Sequence, residues 1–202
     1  MGRPREHDDD TRLALLDAAE RIVADRGLAG MSLRGLTSDA GTTTRAVYSI
    51  FGSKDGLVAA LGARTFDRLA LAVEALPVTS DPAADLVNAG VLGFRPLVLD
   101  HPALFQLGIQ QTDTNAEQLA GTRPAAARAW TVLQARVARL ELEGGLGARS
   151  IDEAATAFHA LCEGLAALEI RGAIPAQTAD HLWRSAITAL VHGFRHTFTS
   201  DS

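Results

Sequence analysis

One cysteine, one lysine and one tyrosine occur in 202 residues, and no apolar run is long enough to cross a bilayer. Cys162 alone cannot form an intrachain disulfide, so the usual mark of an oxidising compartment is missing and the core must hold the fold. The opening MGRPREHDDD is charged and has no apolar stretch behind it, which is not the pattern of a signal peptide. A soluble, cytoplasmic chain with no membrane partner is expected. The formal net charge of -5 removes any bulk attraction to nucleic acid, because nonspecific affinity rests on many cations meeting phosphates. Residues 1–55 carry nearly equal numbers of cations and anions, so DNA recognition would depend on a few placed charges. No nucleophile, base and orienting triad and no phosphate-cradling glycine loop is visible, so neither an enzyme nor a cofactor is expected. His192 and His196 have the i, i+4 spacing of a zinc pair, but no third ligand follows and no metal site is expected.

What is present is 47% apolar content, rich in Ala and Leu, punctuated by Gly and Pro at helix-length intervals. Runs of β-branched residues are scarce and no strand is expected. In TRLALLDAAERIVADRG the apolar residues Leu13, Leu16, Ala19 and Val23, widened by Leu15, Ala18 and Ile22, make one buried face, and Gly27 ends the helix. Ser32 caps a short helix to Ala40, with Met31 and Leu36 placed as a hydrophobic staple. Thr42 or Thr43 caps a third helix to Phe51, and Ser53 caps a long fourth that Pro77 ends near Leu76. Beyond the turn-rich link 77–82, five helical segments follow, from AADLVNAGVLGFRPLVLD to QTADHLWRSAITALVHGFRHTF. The polar stretch 111–122 is expected to be a loop.

Residues 32–51 therefore form a capped helix, a turn at Gly41 and a second short helix, the helix-turn-helix arrangement. A recognition helix enters the major groove by its amino-terminal end, so its first residues must be short or hydrogen-bonding and its back must be apolar. Thr42, Thr43, Thr44 and Arg45 supply the front, with Tyr48 and Ser49 beside them, and Ala46, Val47, Ile50 and Phe51 the back. Arginine can pair with guanine O6 and N7, and a threonine methyl can touch that of thymine, so Arg45 and Thr44 are the candidate base readers. Ser32, Arg34 and Lys54 lie at helix starts where a phosphate fits, and Arg3 and Arg5 are candidate arm contacts. Taken singly, Ser32 and Thr43 are plain helix caps, Arg45 a solvated charge and Tyr48 a packed ring. Their grouping in one short unit is what points to DNA.

Residues 15–61 resemble the TetR family of bacterial transcriptional regulators. The resemblance runs through the Ala-Ala pair of the first helix, the Arg-Gly at its end, the Gly41 turn, the Tyr48 to Phe51 spacing and the Ser53-Lys54-Asp55 start of the fourth helix. It implies an all-α fold: an amino-terminal three-helix domain joined by a long fourth helix to a carboxy-terminal bundle of about five helices, dimerising through the last two. It implies a DNA-binding domain over 1–55 and a ligand-binding and dimerisation domain over 56–202. By the same resemblance the protein is a homodimeric, ligand-responsive repressor of a palindromic operator. Where the family commonly has Val-Ser-Lys-Gly after the turn glycine, this chain has Thr42-Thr43-Thr44-Arg45, and position 49, often larger or basic, is Ser49. FRPLVLDHPALFQL and HALCEGLAALEIRG resemble the subgroup with a Trp-His-Gly signature, of which Gly164 is present.

Candidate pocket residues for a small hydrophobic effector are Phe94, Leu97, Phe105, Ile109, Trp130, Leu133, Phe158 and His159, aromatic and aliphatic groups with few polar ones. Helix 151–172 also carries a small-residue stripe, Ala157, Ala160, Gly164 and Ala167, that another backbone can approach closely. The final helix is apolar around most of its girth, and Trp183, Ile187, Val191 and Phe194 join that stripe as the candidate dimer interface. Close packing within one chain is the alternative reading of each of these positions. A helical dimerisation module without DNA binding, or an all-α enzyme using His159 or Glu163, is the alternative reading. Cys162 lies on the bulky stripe and is expected to be packed, not redox-active.

Overall fold

The computed structural model describes residues 3–108 and 116–195. Among them are nine helices and no strand. They are α1 (Arg3–Arg26), α2 (Leu33–Asp39), α3 (Thr44–Phe51), α4 (Lys54–Glu74), α5 (82–100), α6 (Pro102–Gly108), α7 (Ala116–Glu141), α8 (Ile151–Ile170) and α9 (Ala176–Gly193). Helix α5 is continuous but carries a π-helical stretch, Ala89–Phe94, between two α-helical parts. A single 3-10 turn, Leu28–Gly30, links α1 to α2.

Contacts divide the chain into two compact units, residues 1–67 with 101–127 and residues 68–100 with 128–202. In the first unit α1 contributes Leu15, Leu16, Ala18, Ala19, Ile22 and Val23 to one core, and α2, α3, α4 and α6 pack on it through Leu36, Val47, Leu57 and Leu61, and Leu104. Helix α6 thus shares a unit with α1, which the sequence division at residue 55 does not anticipate.

In the second unit, buried carboxylates and guanidinium groups tie the helices together. Arg136 of α7 is only 6% exposed, and its guanidinium donates to the carbonyls of Val73, Leu76 and Pro77 at 2.8 to 2.9 Å. The Val73 carbonyl also accepts the Leu76 amide at 3.2 Å, whereas those of Leu76 and Pro77 rely on the guanidinium, and a cation there also complements the helix dipole. One turn further along α7, Arg139 bonds the Asp85 carboxylate and the Thr79 carbonyl. Asp85 in turn accepts the Thr79 amide and hydroxyl, both at 2.8 Å, so the link before α5 is closed on itself. Arg95 of α5 forks onto Glu169 of α8 at 2.8 and 3.0 Å, and the Trp183 indole of α9 donates to the same carboxylate at 2.7 Å. At Gly90 an added Cβ would lie 2.5 Å from Ile187 Cδ1, so any larger residue there would force the Ile187 side chain to shift.

Two sequence expectations are corrected. Helix α1 starts at Arg3, so the candidate arm residues Arg3 and Arg5 lie within a helix. The expected loop 111–122 is helical from Ala116 on, and α7 continues through Pro124. Tertiary packing overrides the proline there: the Cβ of Ala59 and the Thr122 methyl crowd Gly121 and Gly62, which joins α7 to α4 inside the first unit. The residues 109–115 lie outside the described structure. The π stretch in α5 has no counterpart in the sequence reading.

Replacing Arg136 by Ala removes the donor from the Leu76 and Pro77 carbonyls and leaves Val73 with only the Leu76 amide, and should cost about 3 kcal/mol in urea unfolding. Lysine, a point charge that cannot fork to all three, should recover only part, whereas a loss below about 1 kcal/mol would contradict the capping role. Acid should also weaken the fold. Burial raises the Asp85 pKa, but its bonds to Arg139 and Thr79 outweigh this and hold it below its ordinary value, as the Arg95 bond does for Glu169. Both lowered values mean stability that is present at neutral pH and lost as pH falls below about 4. An Asp85→Asn variant should be weaker at pH 7 and lose less than wild type on acidification.

Candidate nucleic-acid interface

Two caps and one glycine set the geometry of residues 32–51. Ser32 Oγ accepts the Gly35 amide at 3.1 Å and starts α2, and Thr43 Oγ1 accepts the Ala46 amide at 3.3 Å and starts α3. Of the two threonines that could cap α3, Thr43 does so. Between them Gly41 has φ +62, a left-handed conformation natural to glycine, and the Thr42 amide bonds back to the Thr37 carbonyl at 2.9 Å. The chain thereby reverses within three residues.

Helix α3 then divides cleanly. Val47 is wholly buried in the core, with Ile50 and Phe51 packed half-buried against it. Thr43, Thr44, Arg45 and Ser49 are exposed, and Tyr48 is 55% exposed, so its phenol faces outward and is not part of the core. Thr42 is half-buried. Arg12 of α1 stands over the Phe51 ring, 5.6 Å from its centroid, and steadies the carboxy-terminal end of α3 by a cation–π contact. Sequence reasoning missed Arg12, because nothing local marks an exposed arginine in α1 as a neighbour of Phe51. Ser53 Oγ accepts the Gly56 amide at 2.8 Å and caps α4, leaving Lys54 exposed at its first position. Ser32 and Arg34 are likewise exposed at the start of α2. Short polar groups, one guanidinium and one phenol thus share an outward edge, flanked by two helix starts that carry cations. That edge offers hydrogen-bond donors to phosphates and base edges and has no nucleophile and base arranged for turnover.

The remaining candidates scatter. Phe94, Leu97, Trp130, Leu133, Phe158 and His159 all belong to the second unit, where Phe94 and Trp130 meet His159 edge to face with centroids 6.1 and 6.0 Å away. Phe158 is buried against the space at Gly90 and serves the core. Phe105 is buried in the first unit, apart from the others, and Ile109 lies outside the described residues. Of the dimer candidates, Ala160 and Gly164 are exposed and Ala157 and Ala167 half-buried. Trp183, Ile187, Val191 and Phe194 are corrected: at 0 to 2% exposure they fill the protomer's own core and present nothing to a second copy. The face of α9 left open carries Leu182, Ala186, Ala189 and Gly193 instead. His196 lies outside the described residues, and among those described no three His, Cys, Asp or Glu side chains gather as a metal site. Cys162 is buried, which pushes its thiol well above the ordinary range, away from the reactive thiolate.

Comparison with known proteins agrees with this geometry. Residues 15–61 match the family model for bacterial regulatory proteins of the tetR family, and residues 87–190, just over half of the chain, match the tetracyclin repressor-like carboxy-terminal domain. The HTH-type transcriptional regulator EthR of Mycobacterium tuberculosis is 26% identical over 195 residues, covering 91% of this chain and 89% of that protein. A protein of unknown function from Rhodococcus sp. RHA1 superposes with a TM-score of 0.77 at 22% identity, covering 92% of this chain and 96% of that one. The fatty acid degradation regulator FadR from Bacillus halodurans superposes with a TM-score of 0.74 at 16% identity, with coverage of 93% and 97%. A helix-turn-helix with its polar edge exposed, followed by a matching carboxy-terminal domain, makes this chain a member of the TetR family, the DNA-binding regulators of bacterial transcription.

Proposed function

We propose that the protein is a cytoplasmic, ligand-responsive repressor that binds a palindromic operator as a homodimer and performs no catalysis. One observation carries the reading: Thr44, Arg45, Tyr48 and Ser49 stand exposed on the same short helix whose Val47 is wholly buried. Residues 1–55 serve as the DNA-binding domain, with the 43–51 helix in one major groove per subunit and half-sites a whole number of turns apart. Arg45 and Thr44 read bases. Ser32, Arg34, Thr42, Thr43 and Lys54 hold phosphates, and Tyr48 and Ser49 reach either.

Residues 56–202 receive an effector and a second subunit. The open faces of α8 and α9 support an isologous interface: Ala160 and Gly164 are exposed, and nothing lies within 4 Å of a Cβ built on Gly164 or Gly193. Small residues there allow two backbones to close together, while Leu168 and Leu182 supply apolar area at the rim. The effector is a small molecule with an apolar body. It favours a dimer whose two reading helices are wrongly spaced, a coupling of about 1 to 3 kcal/mol between the sites.

Arg45→Ala should cost about 1 to 3 kcal/mol in operator affinity and relax preference at one base position, measured by fluorescence anisotropy against operator variants. Lys54→Ala should weaken all sequences alike and lower the salt slope by about one. Equal behaviour of the two variants would contradict the division between base and phosphate contacts. Gly164→Arg, placed in open space, should leave the melting temperature of the isolated subunit unaffected and yield monomers in analytical ultracentrifugation. A persistent dimer would place the interface elsewhere.

A further inference from the structure

Most buried carboxylates of the second unit are saturated by arginine or indole donors: Asp85 by Arg139 and Thr79, Glu169 by Arg95 and Trp183. Glu163 is different. Its Oε1 lies 3.0 Å from His159 Nε2, one turn earlier on α8, and each side chain keeps 31% of its surface accessible. A carboxylate offers only acceptors, so the imidazole nitrogen facing it must carry the proton. In the uncharged ring the lone pair therefore sits on Nδ1, which has no hydrogen-bond partner among the described residues. Rings from two other helices wall the imidazole: Phe94 of α5 at 6.1 Å and 87°, and Trp130 of α7 at 6.0 Å and 81°. Trp130 is half-exposed, which leaves aromatic surface available beside the pair.

We propose that His159 and Glu163 select the effector's polar head, and that the effector is a small aromatic molecule carrying one O–H or N–H donor. This rests on the reading that the carboxy-terminal domain receives an effector. With the imidazole uncharged, the pair presents acceptors only, the His159 Nδ1 lone pair and the second Glu163 oxygen, beside the rings of Phe94 and Trp130. A ligand with a donor satisfies them, whereas a carboxylate-bearing ligand brings acceptor against acceptor and charge against charge. A hydrocarbon leaves both acceptors without a partner.

Four probes of similar size test this on the full chain: 4-ethylphenol and 2-phenylethylamine as donors, ethylbenzene without a polar group, and phenylacetate as an anionic acceptor. Binding is read by thermal shift and calorimetry, and operator release by anisotropy. Either donor probe, or both, should bind the wild type, with ethylbenzene and phenylacetate at least about tenfold weaker. A response to the amine alone assigns the head as cationic, and to the phenol alone as a neutral hydroxyl, both within the class. His159→Phe should abolish the preference for donors and retain the melting temperature within the spread of conservative core changes. Glu163→Gln is the sharper variant, because an amide can donate to Nε2 and move the imidazole proton to Nδ1. It should narrow or reverse the gap between 4-ethylphenol and phenylacetate, which loss of a merely structural contact would not do. Equal binding of all four probes, no binding by any, or unchanged selectivity in both variants would overturn the assignment. If another class of compound releases the operator from these variants as it does from wild type, ligand response stands and only the role of His159 and Glu163 falls.

Discussion

A helix of eight residues cannot persist in water on its own propensity, since nucleation costs more than so few hydrogen bonds return. The outward edge of α3 therefore depends on what α3 buries. Val47 supplies the fully buried anchor, worth about 1.5 to 3 kcal/mol, and Thr43 and Gly52 close its two ends. Every exposed group on the helix inherits its position from that attachment. Thr44, Arg45 and Tyr48 are precise in space because the side chains behind them meet Leu15, Leu36 and Leu57 in one core. The recognition edge is in this sense a product of the hydrophobic core of the first unit.

The second unit uses polar chemistry for the same end. Arg136 terminates α4, Arg139 and Asp85 close the link to α5, and Glu169 joins α5, α8 and α9 through Arg95 and Trp183. Each of these groups is nearly or fully saturated, and none is left to meet a ligand. The partly exposed pair His159 and Glu163, and the small-residue faces of α8 and α9, stand outside that network.

Local rules made much of this legible in the sequence. Ser32, Thr43 and Ser53 stand before apolar-periodic runs and the structure uses all three as caps, while Ser150, which the sequence reading passed over, forms a reciprocal capping box with Glu153. Helix number and the exposed edge of α3 followed from these signals. What escaped depended on distant partners. The last helix is apolar around most of its girth, so sequence periodicity could not say that Trp183 and Ile187 turn inward while Leu182 and Ala189 turn out. Arg136 was overlooked for a different reason. It falls on the buried stripe with Val137 and Leu140, and a charge at such a spacing is the signal that could have revealed a buried helix cap. The start of α7 was hidden by Pro124, whose usual meaning is reversed by the contact at Gly62. Phe105 read as pocket because an aromatic residue carries no indication of which unit it will fill.

The departure at Thr42-Thr43-Thr44-Arg45 leaves the base preference to be measured, and the exposed edge makes a definite demand of that measurement. Selection of bound sequences from random duplex DNA by the full-length protein tests the demand most directly. Enrichment of a palindrome whose half-site centres lie a whole number of helical turns apart is the result expected from two copies of α3 related by a two-fold axis. Retention of DNA without any enriched symmetric sequence, or no retention at all, would contradict it.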